Sequence, residues 1–171
     1  VHCIAIGGVF DREEKHRTQL LAERASLRME DSFTLIDFRP DVRGLLAALD
    51  IFILPSIEPE PFGMVVLEAM EAGVPVIASR AGGPLEIIAD GEDGLFFEPG
   101  DEHSLSDAIE KLLSDPAARV RLGEAGRKTL SDRFTSQRQV DGIQTVLDSV
   151  IHGSDRVSRP PHSDSSSSSK P

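Results

Sequence analysis

Short apolar segments alternate with longer segments of helical periodicity along most of this chain, and this alternation limits the fold more than any other feature. Strands are predicted at 1–6, 33–38, 51–54, 74–78 and 94–97. Helices are predicted at about 13–29, 42–48, 62–72, 84–88, 105–113, 116–130 and 136–151. Strands that are apolar along their whole length belong to a parallel sheet covered on both faces. The sequence therefore predicts a doubly wound, Rossmann-like α/β domain with ligands bound at the carboxyl ends of its strands.

The C-terminal end of the chain has a different composition. Residues 152–171 read HGSDRVSRPPHSDSSSSSKP, which offers too little apolar surface to offset the entropy lost on folding. We therefore expect one domain at 1–151 and a disordered Ser/Pro-rich tail at 152–171. The chain also begins inside a predicted strand without a Met, so we expect it to be a piece of a longer protein.

Charge and cysteine content exclude several classes of function. The net charge is −11, and no basic stripe interrupts it, which argues against binding to nucleic acid or to an anionic membrane. Cys3 is the single cysteine and lies in an apolar run, so we expect a small buried thiol and no disulfide framework. The histidines are scattered, and no metal site is predicted. The acids at 90–93 and 98–102 are expected on the solvated surface.

One carboxylate stands in an unusual place. Glu68 interrupts the apolar run from Val65 to Met70 on a helix that should be buried, and desolvating an unpaired carboxylate is costly. Eight residues earlier, Glu60 stands in a Pro-rich loop, just before a glycine and the start of that helix. Carboxylates accept hydrogen bonds from hydroxyls, and helix amides bind phosphate, so this spacing suits a phosphorylated sugar. Alternatively, Glu60 is an exposed loop acid and Glu68 forms an ion pair with an arginine such as Arg80.

Gly82 and Gly83 form a glycine pair between a predicted strand and a short helix. Two glycines would let the backbone approach a ligand closely, with the following amides facing a diphosphate. A sharp turn that needs positive φ explains the pair equally well. Another pair, Gly7-Gly8, lacks the third glycine of a dinucleotide-binding fingerprint and predicts a tight turn.

From residue 1 to about residue 134 the sequence resembles the C-terminal, nucleotide-sugar-binding domain of family 4 glycosyltransferases, which are retaining enzymes of the GT-B fold. The resemblance rests on several segments in register: PS at 55–56, EPFGMVVLEAM at 60–70, GVPVIA at 73–78, GG at 82–83, EI at 86–87 and DG at 90–91. It implies the donor half of an enzyme that transfers a hexose from a nucleotide diphosphate sugar, with no metal or other cofactor. Asp37 departs from the family, which usually has glycine there.

The resemblance also implies a role for each site residue. Glu60 would be the catalytic residue and bind hydroxyls of the donor sugar, while Glu68 would bind the ribose hydroxyls. The sugar would contact the backbone amides of Phe62, Gly63 and Met64, and the diphosphate those of Val65 and Val66. Phe38 and Arg39 would lie beside the base, and Gly82 and Gly83 would line the cleft.

The resemblance further implies a partner domain and a location. An N-terminal acceptor-binding domain and the basic residues that bind phosphate would lie upstream, outside this chain. The protein would be cytoplasmic, with any contact to the inner face of the membrane made through that other domain. Two alternatives remain open: a non-catalytic nucleotide-sugar-binding module, and a related GT-B enzyme such as a sugar-nucleotide epimerase or a glucan synthase.

Overall fold

The computed structural model describes residues 1–7 and 14–153. Gly8 and the predicted tail from residue 154 onward lie outside the described residues. The strands are β1 (Cys3–Gly7), β2 (Phe33–Asp37), β3 (Phe52–Leu54), β4 (Val76–Ser79) and β5 (Leu95–Phe97). The helices are α1 (Glu14–Ser26), α2 (Arg43–Leu46), α3 (Met64–Ala72), α4 (Pro84–Ile87), α5 (Glu102–Ser114), α6 (Pro116–Arg133) and α7 (Ser136–Gly153).

All strand pairs in the described part are parallel, as predicted. One ladder joins β1 to β2, and a three-stranded sheet has the order β3-β4-β5. Leu54 is paired with Ala78, and Ser79 with Phe97, so these three strands end side by side. This arrangement places the loops that follow β3, β4 and β5 at one edge of the sheet, where an α/β fold binds its ligands.

The central strand β4 is buried on both faces, as predicted. Successive strand residues point to opposite sides of a sheet. On one side, Val76 and Ala78 pack in a cluster with Val66 and Met70 of α3. On the other side, Ile77 packs in a second cluster with residues of α5 and α6. Helices therefore cover both faces of this sheet, and α3 packs on one of them.

The expectation that the first strand is buried is wrong. Cys3 is exposed, and Ile4 is 39% exposed. The physical reason is that, among the residues described, β1 is paired with β2 alone. The prediction of a small buried thiol at Cys3 fails for the same reason.

The last helix is longer than predicted. Helix α7 continues through Gly153, so residues 152 and 153 belong to a helix and not to the expected tail. Six of its apolar side chains are exposed: Val140, Ile143, Val146, Leu147, Val150 and Ile151. No helix among residues 14–153 is both long enough and apolar enough to cross a bilayer.

Candidate functional site

The loops after β3 and β4 are joined through their backbones. Glu60 forms a parallel bridge with Gly82, and the amide of Gly83 donates a 2.7 Å hydrogen bond to the carbonyl of Glu60. Because β3 and β4 pair in parallel, the chain leaves both strands in the same direction and the loops meet. The predicted acidic loop and the predicted glycine pair therefore form one structural unit.

The contacts explain why glycine occupies both positions of the pair. A Cβ atom on Gly82 would lie 2.2 Å from the carbonyl oxygen of Glu60, and one on Gly83 would lie 2.2 Å from that of Phe62. Gly82 also has a φ of +65°, which side chains rarely adopt. The pair therefore has a structural role, namely the close approach of two loops. Its contact with a ligand stays a prediction.

The N-terminus of α3 opens at this junction. Its cap residue, Gly63, has a φ of +88° and provides no capping side chain. The amide of Val66 donates to the carbonyl of Gly63 at 2.9 Å, whereas first-turn amides such as those of Met64 and Val65 have no acceptor within a helix. Since the helix dipole places partial positive charge here, this end of α3 favours an anion.

The acid on α3 lies on the same side of the helix as the first-turn residues. Residues three and four apart lie on one side of a helix, which groups Glu68 with Met64 and Val65. None of these three is fully buried, whereas the other face of α3 carries the buried residues Val66, Leu67, Ala69 and Met70. Glu68 is thus half-buried at the edge of the core, on the same side of α3 as the first-turn residues Met64 and Val65.

Neither Glu60 nor Glu68 makes a side-chain hydrogen bond or an ion pair within residues 1–7 and 14–153. Arg80, the alternative partner of Glu68, instead pairs with Asp90 at 2.5 Å and with Glu98 at 3.1 Å. The hydrogen bond to Asp90 raises the pKa of the Arg80 guanidinium. The ion-pair alternative through Arg80 is therefore wrong. Both carboxylates remain available to a ligand.

Phe38 and Arg39 follow β2 and are exposed. Among the described residues, no hydrogen bond, ion pair or ring contact joins them to the loop that carries Glu60. Asp37, which precedes them, forms a 2.5 Å ion pair with Arg17 of α1. Their predicted position beside a base stays a prediction.

A contact that sequence reasoning missed lies at the end of α6. The ring of Phe134 meets the ring of Phe62 edge-on, with centroids 6.5 Å apart. Beside it, the guanidinium of Arg133 donates to the carbonyls of Glu86 at 2.7 Å and Ile87 at 3.3 Å. No local pattern could predict this, because the partners are far apart in the chain.

One expected surface acid is buried. Asp93 is only 5% exposed and accepts hydrogen bonds from the amide of Ala89 at 2.7 Å and the hydroxyl of Thr129 at 2.6 Å. The expectation of solvated acids is therefore wrong at this position, because Asp93 fixes the turn before β5 to α6. No group of three or more His, Cys, Asp or Glu residues that could hold a metal ion occurs in the part of the chain that is described.

Parallel strand ends, a helix N-terminus and two carboxylates that are unpaired in the described residues form an arrangement that suits an anionic ligand with hydroxyl groups. The chain belongs to the family of group 1 glycosyl transferases, whose family model matches residues 1–129. Its fold is the Rossmann-like, C-terminal half of a GT-B glycosyltransferase.

The chain is also similar in sequence to individual proteins. The chain is 34% identical, over 80% of its own length, to the lipopolysaccharide core biosynthesis glycosyltransferase LpsE of Rhizobium meliloti. It is 36% identical, over 74% of its length, to N-acetyl-alpha-D-glucosaminyl L-malate synthase of Bacillus anthracis. The chain spans 39% and 33% of the lengths of these two relatives.

Solved structures share the fold of this chain. Anabaena Alr3699/HepE in complex with UDP superposes with a TM-score of 0.83 at 30% identity, over 87% of this chain and 41% of that chain. The C-terminal domain of the group 1 glycosyl transferase LpcC from Francisella tularensis has the same fold, with a TM-score of 0.70 at 23% identity. The superposition covers 79% of this chain and 87% of the LpcC domain.

Proposed function

We propose that this chain is the donor-binding half of a retaining glycosyltransferase that transfers a hexose from a nucleotide diphosphate sugar to an acceptor. One observation carries the proposal: Glu60 and Glu68 are unpaired in the described residues and lie close in the chain to the open N-terminus of α3. Glu60 lies in the loop that leads to this end of the helix, and Glu68 lies on α3 itself. The relative Alr3699/HepE supports it, since that protein has been solved with UDP and with UDP-glucose.

In the proposed complex, the two acids hold different parts of the donor. Glu68 accepts hydrogen bonds from the ribose hydroxyls, and Glu60, the proposed catalytic residue, accepts them from the sugar. The amides of Phe62, Gly63 and Met64 face the sugar. Carboxylates suit these tasks because an ionised acid accepts bonds from several hydroxyls at once.

The remaining contacts hold the nucleotide. The amides of Val65 and Val66 face the diphosphate, although that of Val66 already donates to Gly63 and would have to share its hydrogen. Gly82 and Gly83 line the cleft beside the diphosphate. Phe38 and Arg39 lie beside the base.

The proposed reaction breaks the bond between the anomeric carbon and the diphosphate oxygen. Negative charge then develops on the leaving diphosphate, next to the positive end of the α3 dipole. Preorganised donors at that position stabilise the transition state more than the bound substrate, which is what accelerates a reaction. The acceptor hydroxyl gives its proton to the departing diphosphate oxygen, and its oxygen bonds to the anomeric carbon on the face that the diphosphate leaves, so the anomeric configuration is retained. No metal or other cofactor has a role in this proposal.

Acceptor binding and neutralisation of the diphosphate would require residues outside the matched segment. The acceptor would bind to an N-terminal domain, consistent with the relatives being more than twice as long as the segment matched here. The basic residues that neutralise the diphosphate would lie on that longer chain. The enzyme would work in the cytoplasm, and any contact with the inner membrane face would be made by the other domain.

Titration of the 171-residue chain with UDP-glucose, GDP-mannose and ADP-glucose tests the proposal, with amide NMR shifts as the readout. We expect weak binding of at least one donor, with shifts centred on Gly63 and Gly82, and no sugar transfer by this chain alone. The titration is repeated with EDTA, which should change nothing. Absence of binding, or shifts confined to residues 154–171, would contradict the proposal.

A further inference from the structure

The junction between α6 and α7 contacts both the loop that carries Glu60 and the helix that follows the glycine pair. Helix α6 ends at Arg133, and Phe134 follows it. The side chains of these two residues diverge to different partners. Arg133 reaches α4, which directly follows the glycine pair, and Phe134 reaches Phe62 in the loop of Glu60. We call residues 133 and 134 the α6 clamp.

The contact of Arg133 is a helix cap. The last carbonyls of a helix lack intrahelical donors, and a cation at that end is favoured by the dipole. Arg133 supplies both, because its guanidinium donates to Glu86 and Ile87, the last two residues of α4. This side chain therefore links the end of α6 to the C-terminal end of α4, the helix that follows the glycine pair.

The contact of Phe134 fixes the other loop. Its ring lies at 70° to that of Phe62 and packs partly buried against the core cluster beneath α3. Phe62 immediately precedes Gly63, the cap of α3, and Glu60 stands two residues earlier. The guanidinium of Arg133 lies 5.1 Å from the centroid of Phe134, so the two halves of the clamp also support each other.

We propose that Arg133 and Phe134 are positioning residues of the donor site, which hold the Glu60 loop and α4 at the spacing that a nucleotide sugar requires. This inference rests on the proposed function. Phe134 also packs against the core cluster that contains the buried face of α3. That face is anchored by Val66 and Met70, which are fully buried, so Glu68 depends less on the clamp than the Glu60 loop does. Loosening the clamp therefore displaces the contacts to the sugar more than the contacts to the ribose.

The test compares Arg133→Gln and Phe134→Leu in the full chain. Each variant is titrated with the best-binding member of UDP-glucose, GDP-mannose and ADP-glucose, and with its free nucleoside diphosphate. We expect affinity for the nucleotide sugar to fall about threefold to tenfold, the factor that corresponds to one aromatic pair or to the net contribution of one ordinary hydrogen bond. Affinity for the free nucleotide should change by less than about twofold, as for substitutions remote from the contacts that are measured.

The same helix supplies a matched control. Arg119 of α6 donates to the carbonyls of Leu112 and Leu113 at the end of α5, away from both loops. Arg119→Gln removes an equivalent helix cap and should leave both affinities unchanged. Phe134→Tyr keeps the ring and should restore the affinity for nucleotide sugar. If Phe134→Leu fails to fold, Arg133→Gln provides the result, because Arg133 is exposed.

The outcomes distinguish failure of this inference alone from failure of the proposed function. If the unmodified chain binds a nucleotide sugar and both clamp variants bind it equally well, the inference is overturned and the proposed function stands. An equal loss for sugar and free nucleotide also overturns it, since that result indicates a general structural effect. If the unmodified chain binds none of the three donors, the proposed function fails and the inference falls with it.

Discussion

The amide of Gly83 and the carbonyl of Glu60 form a 2.7 Å hydrogen bond that joins the loops following two adjacent strands. Every ligand contact proposed for Glu60 depends on this bond, since it fixes the backbone from which that carboxylate extends. The absence of a side chain at residue 83 makes the bond possible, because any Cβ atom there would meet the backbone of Phe62.

Gly83→Ala should therefore separate the loops. The added methyl group would lie 2.2 Å from a backbone oxygen, so the loop must move. We expect the free energy of unfolding to fall by about 1–3 kcal/mol, as for overpacked sites, and nucleotide-sugar binding to be lost. Denaturant unfolding and titration measure the two effects.

Gly44→Ala is the control for that substitution. A Cβ atom on Gly44 meets nothing within 4 Å, and the residue lies in α2. Its free energy of unfolding should stay the same or rise by up to about 1 kcal/mol from better helix propensity. Equal behaviour of the two alanine variants would contradict the close approach of the loops.

Much of this fold is predictable from local sequence. The order of strands and helices follows from periodicity and from local punctuation, as at Gly73, which ends α3 with a φ of +74°. The open end of α3 and the two acids beside it are predictable for the same reason, since they lie within a few residues of one another.

The features that could not be predicted are the non-local ones. Phe62 meets Phe134, and Asp93 meets Thr129, across long stretches of chain. An Asp in a turn-like acidic stretch carries no sign of a partner on a distant helix. The exposure of Cys3 was missed similarly, because an apolar strand sequence does not reveal which neighbours cover it.

The buried pair of Asp93 and Thr129 should be important for stability. Asp93→Ala removes two hydrogen bonds to a carboxylate, and we expect a loss of about 2–3 kcal/mol. Thr129→Val should cost less, because Asp93 keeps its bond to Ala89. A double-mutant cycle by denaturant unfolding should give a coupling energy above about 0.5 kcal/mol. Asp107→Ala, at an exposed position of α5, is the control, and additive effects of the two pair mutations would refute the contact.

Cys3 should be accessible but slow to react. Partial burial of its thiol raises the pKa above the ordinary value, although the residue as a whole is exposed. The thiolate is the reactive form, so a raised pKa lowers the alkylation rate at a given pH. The rate with iodoacetamide, measured across pH, should rise at higher pH in the folded chain than in urea.

The same shift makes a prediction for stability. Because the folded state disfavours the thiolate, the contribution of Cys3 is fully present below the pKa of the unfolded chain. It is lost as the pH rises toward the higher pKa of the folded chain. Cys3→Ser should remove both the labelling and this pH dependence. Identical alkylation profiles in folded and unfolded chain would contradict the shift.

The two acids of the candidate site should divide the recognition of the donor. If Glu68 binds ribose, Glu68→Gln should weaken free nucleotide and nucleotide sugar alike, by about tenfold or more for a lost charged acceptor. If Glu60 binds the sugar alone, Glu60→Gln should weaken the nucleotide sugar and leave the free nucleotide nearly unchanged. Calorimetric or NMR titration of each variant with both ligands measures the difference.

Matched controls are available on the same elements. Glu58 is exposed in the loop of Glu60, and Glu71 is exposed on the helix of Glu68. Glu58→Gln and Glu71→Gln remove the same charge and should change neither affinity, which separates a specific contact from a general effect of the net charge. Only a ligand with two separately recognised parts produces the asymmetric pattern. Equal losses of free nucleotide in the Glu60 and Glu68 variants would refute the division, and a loss of stability without a loss of binding in Glu68→Gln would make that acid structural.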